Sequence, residues 1–190
     1  MSEKRYGVIL ADPPWDYRNG GNGRARAHYP LMTVPEICQL PVGALSLPDA
    51  VLIMWTTWPQ LGGALQVVSA WGFEYVTGFP WVKVYDPPMV DLFGDFRAKP
   101  TWGTGAWVRG CSEPILIGRR GNARPPEKNW MGLVGKRFEH SKKPDNMHEY
   151  AESLPGPYLE LFARRTRPGW DVWGNEVVST MQVSSSWPTV

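Results

Sequence analysis

Short runs of unbroken apolar residues alternate along this chain with mixed or proline-led stretches. Gly7–Ala11 ("GVILA") and Ala50–Thr57 ("AVLIMWTT") are almost entirely apolar and bounded by turn residues. That is the pattern of strands buried on both faces of a parallel sheet. A short helix is expected over Val34–Leu40, before Pro41. Pro59–Gly72 carries proline at a plausible first turn and glycine at its stop, which predicts a helix. Phe73–Val84 alternates enough for a strand, with Pro80 as the place where it would break. Glu113–Gly121 predicts a strand, Pro144–Leu154 a helix capped by Asp145, and Tyr158–Arg164 ("YLELFAR") another strand. The repeated order of strand, helix and strand predicts an α/β fold with a largely parallel sheet.

Between these elements the pattern dissolves. Asn19–Tyr29 reads as a loop rich in glycine and arginine, without the GxxxxGK[ST] spacing of a phosphate loop. Tyr85–Val108 is too long for a plain connection and reads as a functional or disordered loop. Asn122–Lys143 is irregular and basic. Counted from Arg119, its cations are Arg119, Arg120, Arg124, Lys128, Lys136, Arg137, Lys142 and Lys143, opposed only by Glu127 and Glu139. Such a stretch is either a solvated surface or a patch for phosphates.

Composition narrows the picture a little. A length of 190 residues with 43% apolar and 20% charged side chains suits one soluble domain, here expected over residues 1–178 with a loosely ordered tail at 179–190. The net charge of +2 selects no partner. Eleven tryptophans supply core rings, and flat rings also suit the stacking of nucleobases. Cys38 and Cys111 form no CxxC pair, and His28, His140 and His148 lack ligand spacing, so no metal site is read. No apolar stretch has transmembrane length and "MSEKRYG" has no signal-peptide core, so a cytoplasmic location without membrane contact is expected.

The chemistry lies where the first apolar run ends, at "ADPPW". An exocyclic amine of adenine is a poor nucleophile because its lone pair is delocalised into the ring. Acceptors around its two N–H groups make it more tetrahedral. Asp12 offers a carboxylate, and the Pro13-Pro14 turn offers carbonyls aimed by the locked φ of proline. Trp15 offers a ring for the base, which must leave its helix to be reached. Glu160 is a second candidate. It is an acidic residue in an apolar strand, costly without partners and well placed to hold a ligand hydroxyl at a strand end. A water-facing glutamate on an edge strand is the plainer alternative.

"ADPPW" after a first strand resembles the catalytic motif of the DPPW-type adenine-N6 methyltransferases. These include the catalytic subunit of the eukaryotic mRNA adenosine methyltransferase and bacterial and phage relatives acting on DNA. Further blocks are similar in the same order: "WVK" at Trp81–Lys83, Gly103–Asn122, "HSKKPD" at His140–Asp145 and Pro155–Glu176. The resemblance implies a Rossmann-like methyltransferase fold in the β-type permuted order, with the catalytic block first and the cofactor strand late. It also implies S-adenosyl-L-methionine as cofactor. By the same resemblance, Asp12 accepts from the target amine and lies near the amino group of the cofactor's methionine. Pro13 and Pro14 aim carbonyls, and Trp15 packs on the base. Lys143 meets the cofactor carboxylate, Glu160 its ribose, Arg164 the ribose region, and Asn175 and Glu176 the adenine and ribose. Arg167 and Glu176 stand where the eukaryotic enzyme has asparagine and glutamine. Trp81 and Lys83 border the target pocket, with Tyr17, Arg24 and Arg26 as further substrate contacts.

These observations support methylation of adenine N6 in DNA, with RNA as the rival substrate. A catalytically inactive nucleic-acid-binding subunit of the same fold is the alternative from another class, and a phosphate-binding α/β enzyme is disfavoured by the missing phosphate loop. Specificity is expected from loops 19–29, 85–108 and 122–142 or from a partner subunit. The chain is expected to be a monomer or a homodimer.

Overall fold

The computed structural model describes residues 4–16, 30–84, 89–90, 96–97, 107–125, 133–136 and 143–181, with backbone alone at 89–90, 96–97 and 133–136. The helices are α1 (Val34–Cys38), α2 (Val42–Leu45), α3 (Leu61–Ala70) and α4 (Asn146–Glu152), and a 3₁₀ turn at Trp58–Gln60 leads into α3. The strands are β1 (Tyr6–Ala11), β2 (Ser46–Trp55), β3 (Glu74–Val84), β4 (Met89–Val90), β5 (Phe96–Arg97), β6 (Ser112–Arg120), β7 (Leu133–Lys136), β8 (Tyr158–Leu161) and β9 (Trp170–Trp173).

Seven strands form one sheet in the order β7-β3-β6-β2-β1-β8-β9, and β4 and β5 pair separately as an antiparallel ribbon. Among the described strands of the main sheet, β6 alone runs antiparallel to its neighbours, β2 and β3. The largely parallel α/β fold expected from the apolar runs is present. No helix among the described residues is long and apolar enough to cross a membrane.

Burial on both faces explains why β1 and β2 are continuously apolar. Ile9, Ala11, Leu52 and Met54 face one core with Ile37 of α1, Val42 of α2 and Val67 of α3. Their sequence neighbours Val8, Leu10, Val51, Ile53 and Trp55 face the other core with Met147 and Ala151 of α4. The period of two thus sends alternate side chains into opposite helical layers. Local signals set the helix ends. Thr33 and Glu36 close a reciprocal capping box on α1, and Gly72, with φ +80°, takes the left-handed position just beyond α3.

Four expectations need revision. β3 runs unbroken through Pro80, which lies opposite Pro114 of β6 at a point where β7 has not begun; β7 joins only from Trp81. β7 itself forms inside the stretch expected to be irregular. Asp145 occupies the cap position of α4, but its backbone is helical and its side chain makes no capping bond; the carboxylate pairs with Arg165 instead. The packed chain also continues past residue 178. The Thr180 amide donates to the Val172 carbonyl at 3.0 Å, and Met181 is buried in the core.

Candidate active site

The direction of β6 brings the chemistry together. Parallel strands present their last residues at the carboxyl edge of the sheet, whereas an antiparallel strand presents its first. Asp12 follows β1, Lys83 lies near the end of β3, and Glu113 is the second residue of β6, so all three meet on that edge. Ligands of open α/β sheets bind at such an edge. Lys143, just ahead of α4, closes the group.

Lys143 Nζ lies 3.1 Å from Asp12 Oδ2 and 3.1 Å from Glu113 Oε2. The other Glu113 oxygen accepts from Lys83 Nζ. The four charges form an alternating chain: Asp12, Lys143, Glu113, Lys83. Two rings lie beneath it. Trp55 and Trp81 meet edge to face at 5.6 Å, with Lys143 Nζ 5.1 Å from the Trp55 ring and Lys83 Nζ 4.8 Å from the Trp81 ring. Indole faces favour nearby cations and keep the group from water on that side.

These neighbours set the proton affinities. Burial pushes the Asp12 carboxyl above its ordinary value, and Glu113 adds to that, while Lys143 and Arg164 pull it back. Burial also opposes the Glu113 anion, but Lys143 and Lys83 outweigh it and hold its carboxyl below the usual range. Burial would lower the Lys143 ammonium, but Asp12 and Glu113 raise it above its ordinary value. Lys143 therefore stays charged, and Asp12 is the stronger base of the two carboxylates.

The DPPW turn is fixed by the returning chain. Met32 N–H donates to the Pro14 carbonyl at 2.8 Å, Asp16 N–H to the Met32 carbonyl at 2.9 Å, and Trp15 N–H to the Pro13 carbonyl at 2.9 Å. Each proline carbonyl already accepts one bond, so either brings only its second lone pair to a substrate amine. Trp15 is 5% exposed and packs in the core against the α1–α3 layer. This corrects the expectation of a ring face open to the base: the turn folds the indole inward. Trp81, at 1% exposed, is likewise beneath the site as the support of Lys83 rather than on its border.

A second cluster lies along β8 and α4. Glu160 Oε2 accepts from His148 Nε2 at 2.8 Å, which fixes one carboxylate oxygen. His148 is nearly fully buried, meets the edge of Trp170, and its Nδ1 has no partner among the described residues. Glu160 faces the protein interior through this bond, so the reading of a water-facing edge glutamate falls. Arg167 grips Glu152 of α4 with both arms, at 2.6 and 3.0 Å, and Trp170 Nε1 donates to the same carboxylate at 2.9 Å. Its guanidinium thus pairs with α4 in this structure, at a position that the resemblance placed near the cofactor. Arg164 Nε lies 3.6 Å from Glu176 Oε1. Gly174 makes that approach possible, because a Cβ there would lie 2.2 Å from the Ala163 carbonyl. Asn175, next in the chain, is exposed. Tyr17, Arg24 and Arg26 lie outside the described residues.

The Arg167 and Trp170 bonds hold the Glu152 carboxyl down at about 2, against an ordinary 4.5. A depressed carboxylate adds stability that is complete above pH 4.5 and is lost as pH falls toward 2. The pair is partly exposed, so the effect is screened. Glu152→Gln should unfold at lower urea than the parent at pH 7, and the gap should narrow at pH 3. Urea melts at the two values check it.

Two residues of these clusters escaped the sequence reading. Glu113 carried a signal close to the one that singled out Glu160, a carboxylate attached to an otherwise apolar strand. His148 carried none, because only the fold sets it against Glu160. A separate concavity of about 510 Å³, lined by Val76, Phe79, Ile117, Tyr150 and Leu154 among others, shares no residue with the charged chain.

The MT-A70 family pattern matches residues 6–176. The Type II methyltransferase M.MunI of Mycoplasma sp is 31% identical over 204 residues, covering 93% of this chain and 80% of that protein. The N6-methyladenosine RNA methyltransferase MTA1 of Cryphonectria parasitica is 32% identical, over 93% of this chain and 53% of its own length. The human N(6)-adenine-specific methyltransferase METTL4 is 28% identical, over 95% and 39%. With a match that runs from β1 past β9 and takes in every charged residue of the site, the chain belongs to the MT-A70 family.

Proposed function

We propose that this chain methylates the N6 amine of adenine in DNA, with Asp12 as the acceptor that activates the amine. Members of the MT-A70 family use S-adenosylmethionine as methyl donor and act on adenine N6 in nucleic acid. The observation that carries the reading here is the Asp12–Lys143–Glu113 array at the carboxyl edge of the sheet.

The donor set fits the cofactor. Its amino-acid end carries one carboxylate and one ammonium, and the site offers one cation and one anion 3.1 Å apart, in Lys143 and Asp12. Its ribose carries a diol, and Glu160 has one oxygen fixed by His148 and another to offer. When bound, S-adenosylmethionine supplies an electrophilic methyl group on a sulfonium. The protein positions the amine and receives its proton. Asp12 accepts a hydrogen bond from N6–H, which localises the nitrogen lone pair. Were the methyl group to pass from the sulfonium to N6, with the S–CH₃ electron pair staying on sulfur, the nitrogen would have one proton to shed, and Asp12, raised by burial, is the base in reach. Glu113 holds Lys143 in place throughout. The rate gain comes from positioning and from fixed charges in a partly dry site.

The match to the Type II DNA methyltransferase M.MunI, 31% identical over 93% of this chain, supports the DNA reading. Competition between DNA and RNA oligonucleotides for labelled methyl groups tests it. DNA should carry most of the label; label confined to RNA would transfer the assignment to RNA, and label in neither would remove both.

His148 acts as a positioning residue for Glu160 in this scheme. His148→Leu should weaken S-adenosylmethionine binding roughly tenfold, the scale of a hydrogen bond to a charged group. His148→Gln, which can place a donor near the same spot, should recover part of it. Calorimetry reads both, and equal loss in the two variants would contradict the role.

A further inference from the structure

Methylating a base in a duplex requires taking it out of the stack, and its neighbours then lose a stacking partner. A rigid aromatic face beside the catalytic carboxylate would replace that partner. Among the described residues, Trp58 is a candidate that the catalytic scheme leaves unused and that the fold holds in place.

Trp58 is 52% exposed, while Trp55 and Trp71, on either side of it in sequence, are 1% exposed. Its exposure is not that of a loose side chain. The indole Nε1–H donates to Ser112 Oγ at 3.0 Å, and Ser112 is the residue before Glu113. Pro59 stiffens the 3₁₀ turn that carries it. The far end of the turn is also tied: Gln60 Nε2 donates to the Asp16 carbonyl at 3.1 Å, four residues beyond Asp12. The ring is thus tethered to the two segments that deliver Glu113 and Asp12, with much of its surface in water.

We propose that Trp58 is a stacking platform for an unpaired nucleobase adjoining the target adenine. The proposal rests on the reading of the chain as a nucleic-acid adenine methyltransferase. Every base has a π-face, so the platform would tolerate any neighbour and act on affinity rather than on sequence choice. Because the ring is pinned before the ligand arrives, little rotamer freedom is lost on stacking. The bond to Ser112 leaves the faces of the indole for the ligand and uses only its edge.

The test uses the full chain and a DNA oligonucleotide bearing an adenine that the wild type methylates. A companion set carries one abasic nucleotide at each position flanking that adenine. Trp58→Ala should raise the oligonucleotide Kd, read by fluorescence anisotropy, and its KM roughly tenfold. The calorimetric Kd for S-adenosylmethionine should not move. At one flanking position, removal of the base should abolish the difference between wild type and variant, and Trp58→Phe should recover most of the binding. Unchanged binding in Trp58→Ala overturns the platform. So does an equal loss on every abasic substrate, which would mark a structural effect. If the wild type itself methylates no adenine-bearing DNA or RNA, the underlying reading fails and the platform with it. Methylation by the wild type with an unaffected Trp58→Ala variant removes the platform alone.

Discussion

Asp12→Ala should lower the rate of methyl transfer roughly a thousandfold while the protein stays folded. The fold survives because Lys143 keeps Glu113 as partner at 3.1 Å, so no buried cation is stranded. The rate falls because the amine loses its charged acceptor and the base that takes its proton. Asp12→Asn separates the two losses. The amide keeps an acceptor oxygen of the same shape but no charge, so it should bind nucleic acid normally and still transfer slowly. Single-turnover rates with labelled donor, beside circular dichroism of each variant, measure this. A variant that is folded and turns over within a few-fold of the parent would remove Asp12 from the role.

Lys143→Met should damage both stability and activity. It leaves Asp12 and Glu113 as two partly buried carboxylates without the cation between them. Breaking such a pair costs about 3 kcal/mol, a fall in Tm of roughly 5–10 °C for a domain of this size. Cofactor affinity should fall as well, since the cation proposed for its carboxylate is gone. The sign of the pH effect follows from the shifts. Lys143 lowers the Asp12 carboxyl against burial, so its loss lets Asp12 rise further. The acid limb of kcat/KM should therefore move to higher pH. Adding Glu113→Gln removes the facing charge, so the double variant should recover part of the stability but not the activity. That non-additivity is the signature of one coupled array. An unshifted acid limb in the single variant would contradict the coupling.

Much of this frame was legible before any coordinates. The buried strands at Gly7–Ala11 and Ala50–Thr57 announced themselves because both faces are covered, so no polar position interrupts them. Asp12, Lys143 and Glu160 were legible because a charge at the end of an apolar strand, or within a matching motif, has few innocent explanations. The aromatic residues were not. Trp15 and Trp81 read as rings near a site, yet both are buried supports, while Trp58, which no pattern singled out, is half exposed. Which way a turn folds its indole depends on the segment that returns to it, here Met32 at the DPPW turn and Ser112 beside Trp58. The pairing of Arg167 was hidden for a related reason: its partner Glu152 lies on α4, one helical turn beyond His148. The direction of β6 was equally hidden, since periodicity is the same read either way, and that direction is what places Glu113 beside Asp12.

The most direct test of the central claim is the identity of the modified atom. Double-stranded DNA is incubated with the protein and labelled S-adenosylmethionine, digested to nucleosides and analysed by mass spectrometry. The account predicts label in N6-methyldeoxyadenosine with the wild type and none with Asp12→Ala. Label on a cytosine, on another adenine atom, or equally in the Asp12→Ala digest would contradict it.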